Sequence, residues 1–523
     1  MSDVIVIGAG MGGMTAAARL ATKGHKVTVL EQSASAGGKV GRFARDGFVF
    51  DTGPSLLTLP QVYRDFFNKT GRPIETALDV VDVEPGFAYQ WADGSRTVMP
   101  GADWARCADA LGDALGGRAA DDWRALMTRA ARMWELTRRD FLEAPLQGMR
   151  PLARLALNPR NVGAIAPLSS LRTLGRKHLS DERLVTLLDR YATYTGSDPR
   201  RAPAALATIP YIEQTFGAHH VVGGIRALAD AVFERCLERG VRFEFQTTVA
   251  RITTGSAGAV TGVVTDAGQT HRADVVVANA DASSVYGALL ADKASGVSSR
   301  PPGSRLPASL SGFCIYAAVQ ANTASIAHHN VWFCDDYDDE FDSVFAVGRQ
   351  RQAARPVPDP TIYACVPQDR TMHPDGAESW FILVNAAPQR QSPHMPMSAS
   401  LTERTTVDWT APGVAEAYAD HILDVLARRG VDLRSRILWR EVRTPADIEA
   451  ATLSPGGTIY GSASHGARAS FTRPANQSVV PGLFLVGGSS HPGGGLPLVA
   501  MSGAIVADLI GRATPVASTP DAR

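Results

Sequence analysis

The sequence predicts an α/β fold in which a parallel sheet wrapped by helices is interwoven with an α+β part and a helical part. Three observations lead there. A β-branched run, Val4 to Ile7, is followed at once by Gly8, Gly10 and Gly13 in the spacing G-x-G-x-x-G, and then by an Ala-rich helical stretch. Near the far end, a second buried-strand pattern, Leu483 to Val486, ends in Gly487-Gly488 and leads into another helix. Between Ser309 and Trp439, apolar segments such as FCIYAAV, SVFAVG and SWFILVN read as strands of an antiparallel sheet.

The first unit reads as strand, glycine turn, helix from Met14 to Lys23, Gly24, strand from Lys26 to Leu30, and a closing acid, Glu31. This is the context that a Rossmann-like dinucleotide fingerprint requires, as opposed to an ordinary glycine-rich turn. Gly8 permits the tight turn, Gly10 lets main chain approach a pyrophosphate, and Gly13 lets helix and strand pack closely. Met11 and Gly12 complete the loop. The helix N-terminus then turns free N–H groups and a favourable dipole toward the phosphates. Glu31 can accept both hydrogen bonds of an adenosine ribose.

A second glycine cluster, Gly37-Gly38-Lys39, follows shortly after Glu31, with Arg42 beyond it. A bare main-chain pair beyond the ribose acid suits FAD, whose ribityl arm must run past protein backbone to the flavin. Phe48 to Phe50 reads as a strand, and Asp51-Thr52-Gly53-Pro54-Ser55 as turn chemistry that can sit beside the flavin ring. A solvated turn is the alternative for Asp51. At the far end, Gly487 and Gly488 precede a helix from about Leu498 to Ile510, and His491 to Gly495 forms a loop that can pass under an isoalloxazine. The two chain ends would then meet on one FAD. No Cys or His sits in a covalent-attachment motif, so the flavin is expected to be noncovalent.

The segments VIVIGAGMGG, EQSASAGGKVGR, FDTGPSLLTLPQVY and GLFLVGGSSHPGGGLPLVAMSG resemble the flavin amine-oxidase superfamily and, more closely, its bacterial carotenoid desaturases. Asp189 to Ala204, His328 to Asp342 and Tyr460 to Ser478 resemble the branch acting on hydroxylated or methoxylated acyclic carotenes. The resemblance implies an FAD-binding domain of the amine-oxidase/glutathione-reductase type. It implies cofactor contacts at Gly8, Gly10, Met11, Gly12, Gly13, Glu31, Gly38, Lys39, Gly53, Pro54, Ser55, Val249, Gly487, Gly488, Pro497 and Leu498. Val249 would approach the adenine through its main chain. Many superfamily members carry an acid after the C-terminal strand's glycine. Here the pair is Gly488-Ser489, so main-chain N–H groups would have to serve.

The implied reaction removes two hydrogens from a C–C bond flanking a polyene, with the protein supplying position and dryness. No Ser-His-Asp set or carboxylate pair stands out. The adjacent pairs His219-His220 and His328-His329 should not project to one side of a regular element, so no metal is expected. His491 is the polar group expected nearest the flavin, with a structural role as its alternative. Tyr191 and Tyr194 either line the cavity, meet a terminal hydroxyl, or simply pack. Open alternatives are a phytoene desaturase making neurosporene or lycopene, a related isomerase or oxygenase, a flavin amine oxidase and a noncatalytic carotenoid carrier. An amine oxidase would want an aromatic cage at the flavin, and GSSHPGGGLP is poor in aromatics.

The chain has 523 residues, 45% hydrophobic and 20% charged, ample for a large core of interwoven substructures. Its formal net charge is zero, which offers no overall field to nucleic acid. Five scattered cysteines without a C-x-x-C pair fit a reduced, cytoplasmic protein. No apolar run approaches the ~18 residues of a membrane span. Between Trp123 and Leu157, Arg124, Arg129, Arg132, Arg138, Arg139, Arg150 and Arg154 alternate with Trp123, Met127, Met133, Trp134, Phe141 and Leu142. This basic amphipathic stretch suits peripheral contact with the inner face of the cytoplasmic membrane, or else a solvated helix pair packed on the sheet.

Further on, a helix from about Ile225 to Arg239 ends at Gly240. Strands follow at Val241 to Phe245 and Thr247 to Ile252, and another ends at Asn279-Ala280-Asp281. No second fingerprint follows a strand, so no nicotinamide site is expected and electrons would leave to oxygen or a quinone. The expected division is residues 1–70, 215–300 and 475–515 for FAD, 70–215 helical, and 300–475 for an antiparallel-sheet substrate part.

Overall fold

The computed structural model describes residues 2–146, 157–290, 306–322, 326–348, 352–390, 401–466, 469 and 473–513. Arg150 and Arg154 of the basic stretch, and the division expected at residue 300, lie outside them.

The cofactor-binding part is built on a five-stranded sheet in the order Leu483–Leu485, Val275–Ala278, Asp3–Ile7, Lys26–Leu30 and Arg242–Glu244, parallel throughout. Alternation along the first strand decides both faces. Val4 and Val6 join the layer of helices Met11–Thr22, Gln61–Thr70, Ile225–Glu238 and Leu496–Ile510. Ile5 and Ile7 join the opposite layer, where a three-stranded antiparallel meander, Val249–Thr254, Val260–Thr265 and Thr270–Arg272, contributes Ile252 and Val263. The first and last strands thus share one sheet, as the glycine patterns at the two chain ends predict.

The helices begin earlier than predicted, at Met11 and Leu496 instead of Met14 and Leu498. Gly12 and Gly13 supply helical main chain in the first helix, and Pro497 occupies the first turn of the last, where its missing N–H costs nothing. The two strands after Gly240 are Arg242–Glu244 and Val249–Thr254, each displaced slightly from its predicted span.

The second sheet has seven strands in the order Ile437–Arg443, Ser311–Gln320, Ala377–Ala386, Ile362–Cys365, His329–Trp332, Phe87–Gln90 and Arg96–Met99. It is mixed, because His329–Trp332 and Phe87–Gln90 run parallel. Its last two strands come from the stretch expected to be helical. Their signal is a period of two, with Phe87, Tyr89 and Trp91 buried and a turn at Asp93-Gly94. One face, with Phe313, Ile315 and Ile382, packs on helix Val414–Arg428. The other, with Cys314, Tyr316 and Phe381, meets Phe48 and Phe50 of strand Phe48–Asp51.

Residues 104–216 supply helices Trp104–Leu115, Ala119–Thr137, Leu171–His178, Glu182–Arg190 and Thr208–Phe216. Trp123, Met127, Met133 and Trp134 point into the core they form. Those four are therefore packing residues, whereas Phe141 and Leu142 are only partly buried. Leu157 and Leu168, just beyond it, are 84% and 91% exposed.

Candidate active site

A cavity of about 930 Å3 opens at the carboxyl ends of the parallel strands and extends beneath the seven-stranded sheet. This is the crevice where open parallel sheets bind ligands. One end is glycine main chain. A methyl group on Gly13 would lie 2.2 Å from the Gly8 carbonyl oxygen, so helix and strand meet there as the fingerprint requires. The two glycine clusters also touch. Gly37 N–H donates to Ala9 O at 2.9 Å, and a Cβ on Gly38 would sit 3.1 Å from Gly10 Cα. A Cβ on Gly12 would sit 2.9 Å from the Gly487 nitrogen, which brings the C-terminal cluster to the same place. Asn279, read from the sequence only as a strand end, projects among these loops, with Nδ2 3.4 Å from Gly8 O.

Glu31 is buried at the cavity wall. Its Oε2 accepts from Ala9 N–H at 2.6 Å, and its Oε1 from Ser33 N–H at 2.9 Å. The single Ser33 hydroxyl proton is shared between Glu31 Oε1 and Ser35 O, each at 2.7 Å. The carboxylate is therefore held in place with acceptor capacity left on both oxygens, as a ribose diol requires. A main-chain cradle ending in such an acid fits the ADP half of FAD.

Of the sequence-predicted contacts, Gly8, Gly10, Met11, Gly12, Glu31, Gly38, Lys39, Gly53, Pro54, Ser55, Val249, Gly487, Gly488 and Pro497 line the cavity. Gly13 and Leu498 do not, Gly13 because it is the packing point behind the loop. Lys39 turns its Nζ to Thr458 O and Ile459 O, at 2.8 and 3.0 Å, and ties the second glycine cluster to the chain ahead of the C-terminal strand. Burial pulls this amine down to about 8, against the opposing pull of Asp281. Asp51 turns away from the cavity and caps helix Ile225–Glu238, accepting from Ile225 N–H at 2.7 Å and Arg226 N–H at 2.9 Å. Burial pushes its carboxyl up to about 6, with those two bonds opposing. Arg473, which no motif flags, is buried and donates to Gly488 O at 2.7 Å and Ser462 O at 2.9 Å.

His491 is not at the cavity. Its Nε2 lies 3.0 Å from Ala144 O, and burial lowers its basicity. Tyr191 is also behind the wall, donating to Glu213 Oε1 at 2.6 Å, whereas Tyr194 lines the cavity and donates to Glu213 Oε2 at 2.8 Å. Between them stands Arg190, which lies in the Asp189 to Ala204 segment that carries the resemblance but to which the sequence reading gave no role of its own. It lines the cavity, and its Nη1 donates to Tyr194 Oη at 3.0 Å. Its guanidinium lies 5.2–5.9 Å from the ring centres of Phe87, Tyr89, Tyr191, Tyr194 and Tyr363. Aromatic side chains thus reach the cavity from several distant elements, and the poverty of GSSHPGGGLP in aromatics does not describe the site.

Ser55 Oγ and Tyr363 Oη lie 2.8 Å apart, and Tyr363 Oη is 2.8 Å from His329 Nδ1. The expectation that the histidine pairs stay apart does not hold, because His328 precedes the strand and escapes its alternation. The His328 and His329 rings are 4.6 Å apart, and ligand atoms of both lie within 4.8 Å of each other and of Cys365 Sγ. Burial keeps the Cys365 thiol protonated and both imidazoles neutral, which makes this a neutral polar cluster.

The chain matches the family model for flavin-containing amine oxidoreductases over residues 11–301. It is 33% identical over 521 residues to the hydroxyneurosporene desaturase of Cereibacter sphaeroides, covering 97% of this chain and 98% of that one. It is 32% identical over 516 residues to the 4,4'-diapolycopene oxygenase of a Methylomonas species, covering 97% of each. The solved structure of cyclohexylamine oxidase from Brevibacterium oxydans superposes with a TM-score of 0.60 at 15% identity, over 97% of this chain and 99% of that one, a likeness of fold alone.

Proposed function

The chain belongs to the flavin-containing amine oxidoreductase family, and from that premise we propose that it introduces a C=C bond into an acyclic carotenoid bearing a hydroxyl or methoxyl at one end. It is an FAD-dependent oxidoreductase. The observation that carries the proposal is the cavity's own cation. An amine oxidase must admit a substrate bearing an amino group, and here Arg190 already stands among aromatic side chains of the cavity. A substrate ammonium would meet like charge at low dielectric. A long neutral chain meets none, and Leu310, Cys314, Phe381 and Leu383 give it apolar wall.

Bound FAD supplies two-electron hydride acceptance. The protein's share begins with exclusion of water and alignment of one C–C bond, the work that Gly53, Pro54 and the strand residues above them are placed to do. The cation left on the polyene is delocalised and sheds its proton to a weak acceptor. Ser55, Tyr363 and His329 form a hydrogen-bonded line leading away from the cavity wall, which fixes the Tyr363 hydroxyl at that wall while His329 stays neutral.

The same reading divides the chain into an FAD part (1–70, 215–300, 475–515), a mostly helical part (70–215) that also lends strands Phe87–Gln90 and Arg96–Met99 to the large sheet, and a substrate part (300–475), with electrons passing finally to oxygen or a quinone and no nicotinamide site. Among the described residues no helix is long and apolar enough to cross a membrane. We infer peripheral attachment to the inner face of the cytoplasmic membrane through the surface bearing exposed Leu157 and Leu168 near Arg160. Replacing both leucines with serine should weaken binding to anionic liposomes about tenfold with flavin content unchanged. Equal sedimentation would remove that surface from the proposal.

The test of activity is pigment analysis in a host making acyclic carotenes, with and without a hydratase that adds the terminal hydroxyl. A red-shifted product only with the hydratase is expected. Neurosporene or lycopene formed from phytoene, with hydroxylated carotenes untouched, would move the chain to phytoene desaturation. A keto or aldehyde product would favour the oxygenase reading.

A further inference from the structure

Arg190 is a buried cation without a counter-ion at contact distance. It is 7% exposed, and among the described residues no carboxylate lies within ion-pair range of its guanidinium. The nearest acidic partner acts at second hand, since Glu213 receives the hydroxyl protons of Tyr191 and Tyr194, and Tyr194 in turn accepts from Arg190. Five aromatic faces hold the guanidinium in position, a geometry that stabilises the charge and leaves its N–H groups directional. A guanidinium has five donors and no acceptor. One of them is spent on Tyr194, and the group itself forms part of the cavity wall. A buried donor of this kind strongly favours a ligand atom with a lone pair over a C–H surface.

We propose that Arg190 is the specificity-determining residue that donates to the oxygen at the substrate's functionalised end. The inference rests on the carotenoid reading above and deepens it. It also carries a chemical consequence. Because Arg190 only donates, it takes any uncharged oxygen acceptor, so a terminal hydroxyl and its methyl ether are recognised alike, while a hydrocarbon end leaves the guanidinium unpaired. Glu213, behind the tyrosines, accepts both their hydroxyl protons and so fixes the Tyr194 oxygen to which Arg190 donates, while burial pushes its own carboxyl up.

The experiment compares wild type with R190M as flavin-loaded, full-length protein in liposomes. Three substrates are offered singly: a 1-hydroxylated acyclic carotene, its methyl ether, and the hydrocarbon of equal chain length. In wild type, kcat/KM should be similar for the first two and higher than for the third. In R190M the ratio of oxygenated to hydrocarbon substrate should fall roughly 10- to 100-fold. R190K, which keeps a donor and a charge, should recover part of it and serves as the readout where R190M fails to load flavin. Wild-type preference retained in R190M, or in R190K a ratio unchanged beside a collapsed R190M, respectively overturns and supports the assignment. A wild type that acts on the hydroxyl but rejects the ether also overturns it. A wild type indifferent to all three substrates would instead sink the carotenoid reading.

Discussion

At the nucleotide end of the cavity the chain presents mostly main chain, with Gly8, Gly10, Gly12, Gly38 and Gly487 converging around Asn279 and Glu31 fixed at the wall. At the other end it presents side chains: Arg190 and Tyr194 from the end of one helix, Tyr363 and Phe381 from the large sheet, Ser55 from a turn. Main chain is common to every residue, so a cradle made from it must be written as an absence of side chains at fixed spacing. A chamber made from side chains needs no spacing at all, only a fold that collects them. The first kind of site should be intolerant of added atoms, and the second of deleted ones.

The largest expected effect tests the first half. Gly13→Ala places a methyl against the Gly8 carbonyl, and should cost about 3 kcal/mol of stability through overpacking, together with most of the bound flavin. Normal flavin content in that variant would show that the loop yields, and the contrast would weaken. Next, Tyr363→Phe deletes one oxygen at the chamber end and cuts the line from Ser55 to His329. Turnover should fall about 100-fold while flavin content stays at the wild-type level. Loss of flavin with turnover per flavin unchanged would mean that Tyr363 belongs to the cradle. Glu31→Ala should weaken flavin retention by roughly 1.5–3 kcal/mol, read from occupancy on dilution. It should be milder than the single methyl at Gly13; the reverse order would make the cradle a side-chain device after all.

The smallest effect is a slope. Burial holds the Asp51 carboxyl near 6 in the folded protein, against an ordinary value of 3.8. The folded state therefore binds this proton more tightly than the unfolded one. Stability from this group is present below about pH 4 and is lost as pH rises through about 6. Asparagine does not titrate, so the Tm of D51N relative to wild type should decline as pH is lowered from about 7 to about 4. A difference independent of pH would show that the cap is solvated.

The contrast also explains what could be read from the sequence. The parallel sheet, both glycine clusters and Glu31 are local patterns, and their placement follows from the run of residues around each. The two chain ends were legible for the same reason. The hairpin of Phe87–Gln90 and Arg96–Met99 was missed, because its period of two is short and its surroundings of helical composition masked it. Arg190, Asn279 and Arg473 were not legible, since their roles come from partners remote in the chain: Tyr363, Gly8 and Gly488. His491 was misjudged because its loop does approach the cavity, through Gly494 and Gly495, while its own ring turns to Ala144.

The sharing of one sheet by Asp3–Ile7 and Leu483–Leu485 bears on the order of events during synthesis. The central strand is synthesised well before the edge strand, and Gly487 arrives beside Gly12 only with the latter. Until that moment the nascent chain carries an unfinished parallel edge, the kind of long-range pairing that forms slowly and invites association with other chains. Flavin capture consequently waits for the strand Leu483–Leu485, and a chain cut short before it can neither close this sheet nor hold its cofactor.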